Sequence, residues 1–215
     1  MRSPRRAATL PVTFFARSAE AVARDLVGKL IISLADGRRT LGRIVETEAY
    51  LGYDDPASHG YRHRRHAQNA ALYGPPASWY VYRSYGVHWC ANLVCQAEGS
   101  GSAVLLRAVE PLEGLEIMQV RRATEVIERL CSGPGRLCQA LGITRAELDG
   151  RTMQESAVKV MQGADWTGTI EVTPRVGITK AAEWPLRFTA AGSLWVSRRT
   201  VTSTRPGVSP SRSRG

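Results

Sequence analysis

The chain predicts an α+β fold, a single mixed domain with a curved, mainly antiparallel β-sheet, flanked by helices and bearing an exposed hairpin. Two stretches carry the sheet and several capped segments carry the helices. Thr40 to Tyr50 is β-rich and alternates with the two-residue period of a strand. Trp79 to Cys95 (WYVYRSYGVHWCANLVC) alternates strongly, breaks at Ser84-Tyr85-Gly86-Val87 and resumes. That break reads as a hairpin turn, with Gly86 permitting positive φ. Helix signals include Ser18 before Ala19–Val27 and Pro111 before a long segment.

Along the chain, Ser18 caps a helix over Ala19 to Val27 that ends at Gly28. Lys29 to Leu34 is a strand, Asp36-Gly37 a tight turn, and Thr40 to Tyr50 the returning strand. Residues 52 to 78 form a long polar loop with His59, His63, Arg64, Arg65 and His66. Ordered loops of that length are usually functional. After the hairpin, Ser102 to Val109 is a short apolar strand carrying one charge, Arg107. Pro111 to Leu130 reads as a helix, Ser132 to Gly135 as a loop, and Arg136 to Leu141 as the start of another helix. Thr144-x-x-Glu147 resembles a capping box. Short strands follow at Ala157–Val160, Ile170–Val172, Leu186–Thr189 and Leu194–Ser197. No internal repeat, heptad pattern or interdomain linker interrupts the chain, so residues 10–199 form one domain between basic tails at 1–9 and 200–215.

The 215 residues are ample for a sizeable core. The net charge of +10 points to a polyanionic partner. Six of those charges lie on the tails, at Arg2, Arg5, Arg6, Arg205, Arg212 and Arg214. The remaining excess of four fits a DNA-binding face better than a coat of basic residues. No apolar run of about 18 residues marks a membrane span, and the N-terminus lacks the apolar core of a signal peptide. Cys90, Cys95, Cys131 and Cys138 are spaced C-x4-C and C-x6-C, which matches no zinc ribbon or knuckle. They read as reduced, mostly buried thiols of a cytoplasmic protein.

Three features carry chemistry. In RIVETEAYLG, period two places Ile44, Glu46, Glu48 and Tyr50 on one face and Val45, Thr47, Ala49 and Leu51 on the core face. A carboxylate beside an aromatic ring is suited to chemistry on a flat ligand; the alternative is a solvated strand face. Arg107 in so apolar a strand needs a carboxylate or a polar pocket, and Glu48 is the attractive partner; the alternative is that it points to the solvent face or bonds backbone carbonyls. Tyr85 at the hairpin tip has no core to fill and fits an aromatic wedge between base steps, unless it packs back on a neighbouring loop.

Together RIVETEAYLG, His59, YVYxxYGxxxCxN, LLRAxEPLEG, SGPGRLCQALGI and PLRF…WVS resemble, in consistent order from about Leu10 to Ser197, the alkyladenine (methylpurine, 3-methyladenine) DNA glycosylase family. The resemblance implies base flipping of alkylated or deaminated purines from double-stranded DNA by a monomer without metal or cofactor. It implies a cytoplasmic enzyme, nucleoid-associated in a bacterium. It assigns Glu48 as general base and Arg107 as its partner in holding the attacking water. Tyr50, His59 and Tyr82 would sandwich the extruded base, His59 also meeting the base or its sugar-phosphate. Tyr85 would fill the vacated stack, and Asn92 would crowd the exocyclic amino group of normal guanine. Glu46 has no catalytic counterpart and reads as structural. The chain departs from the family after His59, where T-x-R-N-x-x-M-F becomes HAQNAALY and Asn69 is retained from the polar part. His63, Arg64 and Arg65 stand where they could replace the lost charge.

Rival readings are a metal-dependent nuclease using Glu46, Glu48, Asp54 and Asp55, a non-catalytic lesion binder, and a sugar hydrolase. The first lacks ligand spacing. The last would need carboxylates facing each other across a substrate, which i and i+2 on one strand do not provide.

Overall fold

The computed structural model describes residues 8–163 and 166–197. The basic tails therefore lie outside the described residues, except Ala8 and Thr9. Ala8 accepts a backbone bond from Gln162, and Thr9 bridges to Met161.

Two N-terminal helices, α1 (Val12–Phe15) and α2 (Ala19–Leu26), precede β1 (Leu30–Ser33) and the long β2 (Thr40–Tyr50). The polar segment that follows contains three short 3-10 turns, at Gly52–Asp54, Tyr61–His63 and Ala67–Tyr73. Then come β3 (Trp79–Ser84), β4 (His88–Cys95) and β5 (Ser102–Glu113). Helices α3 (Leu115–Arg122), α4 (Pro134–Leu141) and α5 (Arg145–Leu148) lead to β6 (Val158–Met161), β7 (Ile170–Thr173) and β8 (Arg187–Ala190). Ser18 caps α2 as expected, its hydroxyl accepting from Ala21 N at 3.3 Å.

The eight strands form one sheet in which six run in the order β3-β4-β5-β2-β1-β6 and β8 and β7 branch from β2, and every pairing is antiparallel. The sheet forks on β2. β1 lies against Thr40 to Arg43, whereas β8 lies against Glu46 to Glu48 and passes the sheet on to β7. Helix α2 packs on β2, and α4 packs on β4 and β5. Trp79, Phe15, Phe188, Leu106, Leu137 and Met118 fill the core and are fully buried. Among the described residues no helix is long and apolar enough to cross a membrane.

Several expectations need correction. Strict alternation along β2 fails at a bulge. Ile44 opposes Val109 and Glu46 opposes Ala108, so Val45 has no opposite residue. Ile44 and Val45 consequently both belong to the apolar core rather than to opposite faces. Neither face of β2 is solvated there, because Glu46, Thr47 and Glu48 are all fully buried. The helix expected from Pro111 to Leu130 is only α3. Pro111 instead opposes Gly42 in β5, beside a register shift where a missing ladder N–H is tolerated. Gly114 then turns the chain at φ 74°, and a Cβ there would sit 2.5 Å from Arg39 O. Ala123 ends α3 in the left-handed region. Helix α4 begins earlier than expected, with Pro134 in its first turn. Thr144 precedes α5 but makes no capping bond with its side chain. Leu194 to Ser197 is turn rather than strand, and Ser197 is drawn to a buried carboxylate instead.

Leu106 is fully buried beside Arg107. Leu106→Ala is expected to cost about 2–5 kcal/mol. The check is urea unfolding: the midpoint falls while the denaturant slope stays the same.

Candidate active site

The site begins with a second irregularity, on β5. Glu46 opposes Ala108 and Thr47 opposes Leu106, so Arg107 has no opposite residue. Bulges re-aim side chains, and this one delivers the Arg107 guanidinium to two carboxylates. Its Nε donates to Glu46 Oε1 at 2.9 Å, and its Nη1 donates to Glu48 Oε2 at 3.2 Å. Arg107 thus meets Glu48, and Glu46 as well. From β8, Arg187 Nε donates to Glu46 Oε1 at 2.7 Å. Ser197 adds its N–H at 2.6 Å and its hydroxyl at 2.8 Å to the same carboxylate.

The two acids diverge electrostatically. Burial acts to raise the pKa of Glu46, but Arg107, Arg187 and the Ser197 N–H outweigh it and hold the group below the ordinary 4.5. Burial dominates at Glu48 and raises it above 4.5. Arg107, the Val176 N–H and the Tyr50 hydroxyl offset that only in part, and the neighbouring Glu46 adds to it. The Val176 N–H reaches Glu48 Oε1 at 2.7 Å, and the Tyr50 hydroxyl reaches Oε2 at 3.0 Å.

Tyr50, which bonds Glu48, also lines a cavity of about 300 Å³ together with His59, Leu72, Tyr80, Tyr82 and Asn92. His59 stacks edge-on against Tyr82 at 4.5 Å between ring centroids, and Tyr80 stacks on Tyr82 at 5.5 Å. The Tyr80 hydroxyl lies 2.7 Å from His59 Nδ1, which leaves Nε2 for a ligand. Partial withdrawal from water, with His66 nearby, lowers His59 below its ordinary 6.5 and so favours the neutral ring. The Asn92 amide nitrogen donates to Tyr80 O at 3.0 Å. A neighbouring depression of about 610 Å³ shares Tyr50, Tyr82 and Tyr85 with the first and has Arg107, Arg122 and Arg136 on its wall. Glu48 sits behind Tyr50, Arg107 and Val176, which face this depression.

Tyr85 caps the turn between β3 and β4. Its φ of 49° and the 68° of Gly86 match the two positive φ angles of a tight hairpin turn closed by Val87 N to Ser84 O at 3.0 Å. The ring is 90% exposed, so it does not pack back on a neighbouring loop. It stands at the mouth of both cavities.

The seven residues singled out from the sequence thus surround one region of the molecule. Sequence reasoning missed Tyr80, Arg187, Ser197, the Val176 N–H and the pairing of Arg175 with Asp55. Arg187 carried the same signal as Arg107, a guanidinium in an apolar strand. A backbone N–H carries no sequence signal at all. The altered loop keeps its anchor: Asn69 is fully buried, donates to His59 O and Arg64 O, and accepts from His66 N. The acids of the nuclease reading are dispersed. Glu46 is held by two arginines, Asp55 by Arg175, and Asp54 is exposed. Among the described residues no three His, Cys, Asp or Glu side chains are grouped to hold a metal ion. All four cysteines are free and buried.

The family model for methylpurine-DNA glycosylase matches residues 13–194. The chain belongs to this family. Relatives agree along their lengths. A protein of Methanoculleus marisnigri is 48% identical over 89% of this chain and 100% of its own. One from Rhizobium meliloti is 49% identical, covering 89% and 97%. One from Rhodopseudomonas palustris strain HaA2 is 47% identical, covering 86% and 88%. Each bears the name "Putative 3-methyladenine DNA glycosylase". As a methylpurine-DNA glycosylase, the protein is a DNA-repair hydrolase of the N-glycosidic bond, and its substrate is DNA.

Glu46 supplies a pH test of the buried cluster. A carboxyl held below its unfolded value stabilises the fold above that value, and the contribution is lost as pH falls through the folded value. Glu46→Gln is expected to cost about 3–5 kcal/mol at neutral pH, because two guanidiniums lose a buried counter-charge. The gap from the wild type should close as pH drops below 4.5, as read by chemical denaturation at several pH values.

Proposed function

We propose that the protein flips alkylated or deaminated purines out of duplex DNA and hydrolyses the N-glycosidic bond with a water activated by Glu48. The products are the free base and an abasic site, the opening step of base excision repair. The observation that carries this reading is a buried carboxylate of raised pKa behind an aromatic cavity, in contact with a guanidinium.

Each step draws on groups already described. A base inside a duplex must be extruded, at a cost of a few kcal/mol. Tyr85, exposed on a tight turn, offsets that cost by filling the vacated stack. Tyr50, His59 and Tyr82 form a π-rich slot that favours electron-poor, cationic alkylpurines. Asn92 in the cavity wall crowds the exocyclic amino group of normal guanine. Cationic bases leave readily, so the demanding task is delivery of water to C1′ of an oxocarbenium-like sugar.

Glu48 suits that task. An ionised carboxylate offers about four acceptor positions. Arg107, Tyr50 and Val176 occupy three, which leaves one on Oε1 for a water molecule. Its raised pKa makes it a stronger proton acceptor than an ordinary carboxylate. The same anion stabilises positive charge developing on the sugar. Among the described residues no lysine lines these cavities, which supports hydrolysis without strand cleavage. The enzyme acts as a monomer. Exposed Arg64, Arg83 and Arg136 around the openings are suited to phosphates, so affinity falls steeply with salt.

The experiment is excision from duplex oligonucleotides, each carrying N3-methyladenine, N7-methylguanine, 1,N6-ethenoadenine or hypoxanthine, in EDTA. Wild type should release base, and Glu48→Gln should lose about 10²–10⁴-fold in rate while still binding. Equal excision by both would falsify the role of Glu48. Because the working form is the anion, the rate should fall on the acid side with a midpoint above 4.5. Tyr85→Ser should cripple flipping and leave the unfolding midpoint unchanged; wild-type excision by that variant would rule out the wedge.

A further inference from the structure

Arg175 and Asp55 form an ion pair that the reaction just described does not use. Both side chains are fully buried. The guanidinium binds both oxygens of Asp55, with Nη2 to Oδ1 at 2.8 Å, and also donates to Ala49 O at 3.0 Å. Asp55 further accepts Leu51 N at 3.1 Å and Ala57 N at 3.0 Å. The pair therefore ties the end of β2 to the loop carrying His59 and to the segment after β7.

Two contacts lead from this pair to Glu48. The Arg175 guanidinium lies over the Tyr50 ring at 4.7 Å, and the Tyr50 hydroxyl bonds Glu48. The next residue, Val176, gives its N–H to the other Glu48 oxygen. Arg175 Nε is buried without a partner among the described residues. Burying that donor has a cost, yet a flat guanidinium can grip a carboxylate with one edge and lie on a ring with its face, which an ammonium cannot do.

We propose that the Arg175–Asp55 pair is a positioning device for the general base: it seats Tyr50 and Val176, two of the three groups that bond Glu48, and so aims that carboxylate at the sugar. The proposal rests on the reading of Glu48 as the base. Arg107 is the third partner and comes independently from β5. A misplacement of about 1 Å in a reacting group can cost about a hundredfold in rate.

The test is single-turnover excision at saturating enzyme over about pH 5 to 9, beside the dissociation constant for lesion duplex. The variants are Arg175→Lys, the paired Asp55→Asn/Arg175→Gln, and Glu48→Gln. Arg175→Lys keeps the charge but loses the fork and the ring face. The paired change removes both charges together, so no lone ion is left buried. Rates are expressed per folded molecule, from circular dichroism.

Both Arg175 variants should lose about 10- to 100-fold in the single-turnover rate at saturating enzyme, whatever they also lose in affinity through Tyr50. Their acid limb should move to higher pH, because the Val176 N–H no longer favours the Glu48 anion. The charged and titratable groups around that anion are Glu46, Tyr50, Arg107, Arg187 and Cys90, all left in place. A wild-type rate and acid limb, or a loss confined to affinity or folded fraction, overturns the proposal. If Glu48→Gln is inert while both Arg175 variants match wild type, positioning alone fails. If Glu48→Gln excises normally, the base assignment fails and positioning fails with it.

Discussion

The structure depends on burying Glu46 and Glu48 two residues apart in the middle of one sheet. Two carboxylates out of water are costly unless cations and hydrogen bonds answer them. Much of the local architecture answers this need. The β5 bulge turns Arg107 onto both acids. The fork of the sheet lets β8 replace β1 along β2 and bring Arg187 to Glu46. The chain after β8 folds back so that Ser197 bonds the same carboxylate. A regular sheet with straight strands would not bring these groups to one point.

The answer is unequal, and the inequality separates two roles. Glu46 has two guanidiniums and a backbone N–H, and it is held below an ordinary carboxyl. Glu48 has one guanidinium shared with Glu46, and burial pushes it above. Paired acids with opposite shifts are a common sign of divided labour. Glu46 is the fixed anion that keeps Arg107 in place. Glu48 is the acid whose proton affinity is raised, and it bonds Tyr50, which lines the cavity.

The aromatic slot is built differently, from local packing on the hairpin and the loop. Alternation along β3 brings Tyr80 and Tyr82 to one side, where their rings stack. His59 comes from a polar loop that has no strand or α-helix of its own, and its position rests on side-chain bonds from Tyr80 and Asn69. The retained Asn69 explains how that loop departs from the family pattern without losing its hold on His59. Arg65 of the same loop reaches Gly99 O at 3.4 Å and lies over the Tyr73 ring.

The chain by itself determined the elements whose signals are local. The β2 strand, the hairpin with its αL turn, the capped α2 and the buried thiols follow from alternation, capping chemistry and residue type. The family resemblance named Glu48, Arg107, Tyr50, His59, Tyr82, Tyr85 and Asn92; six of them line two adjoining cavities, and Glu48 is buried against two of the six, Tyr50 and Arg107. Local signals failed where one residue slipped or a turn intervened. The Val45 bulge moved Ile44 into the core. Gly114 and a strand-bound Pro111 cut the long helix down to α3. Only the tertiary structure decided who partners whom. Arg175 and Asp55 are 120 residues apart, and Ser197 and Glu46 are 151 apart. The shortest hydrogen bonds to Glu46 and Glu48 come from backbone N–H groups, at Ser197 and Val176. Every residue but proline carries that donor, so a sequence says nothing about which ones a buried charge will find.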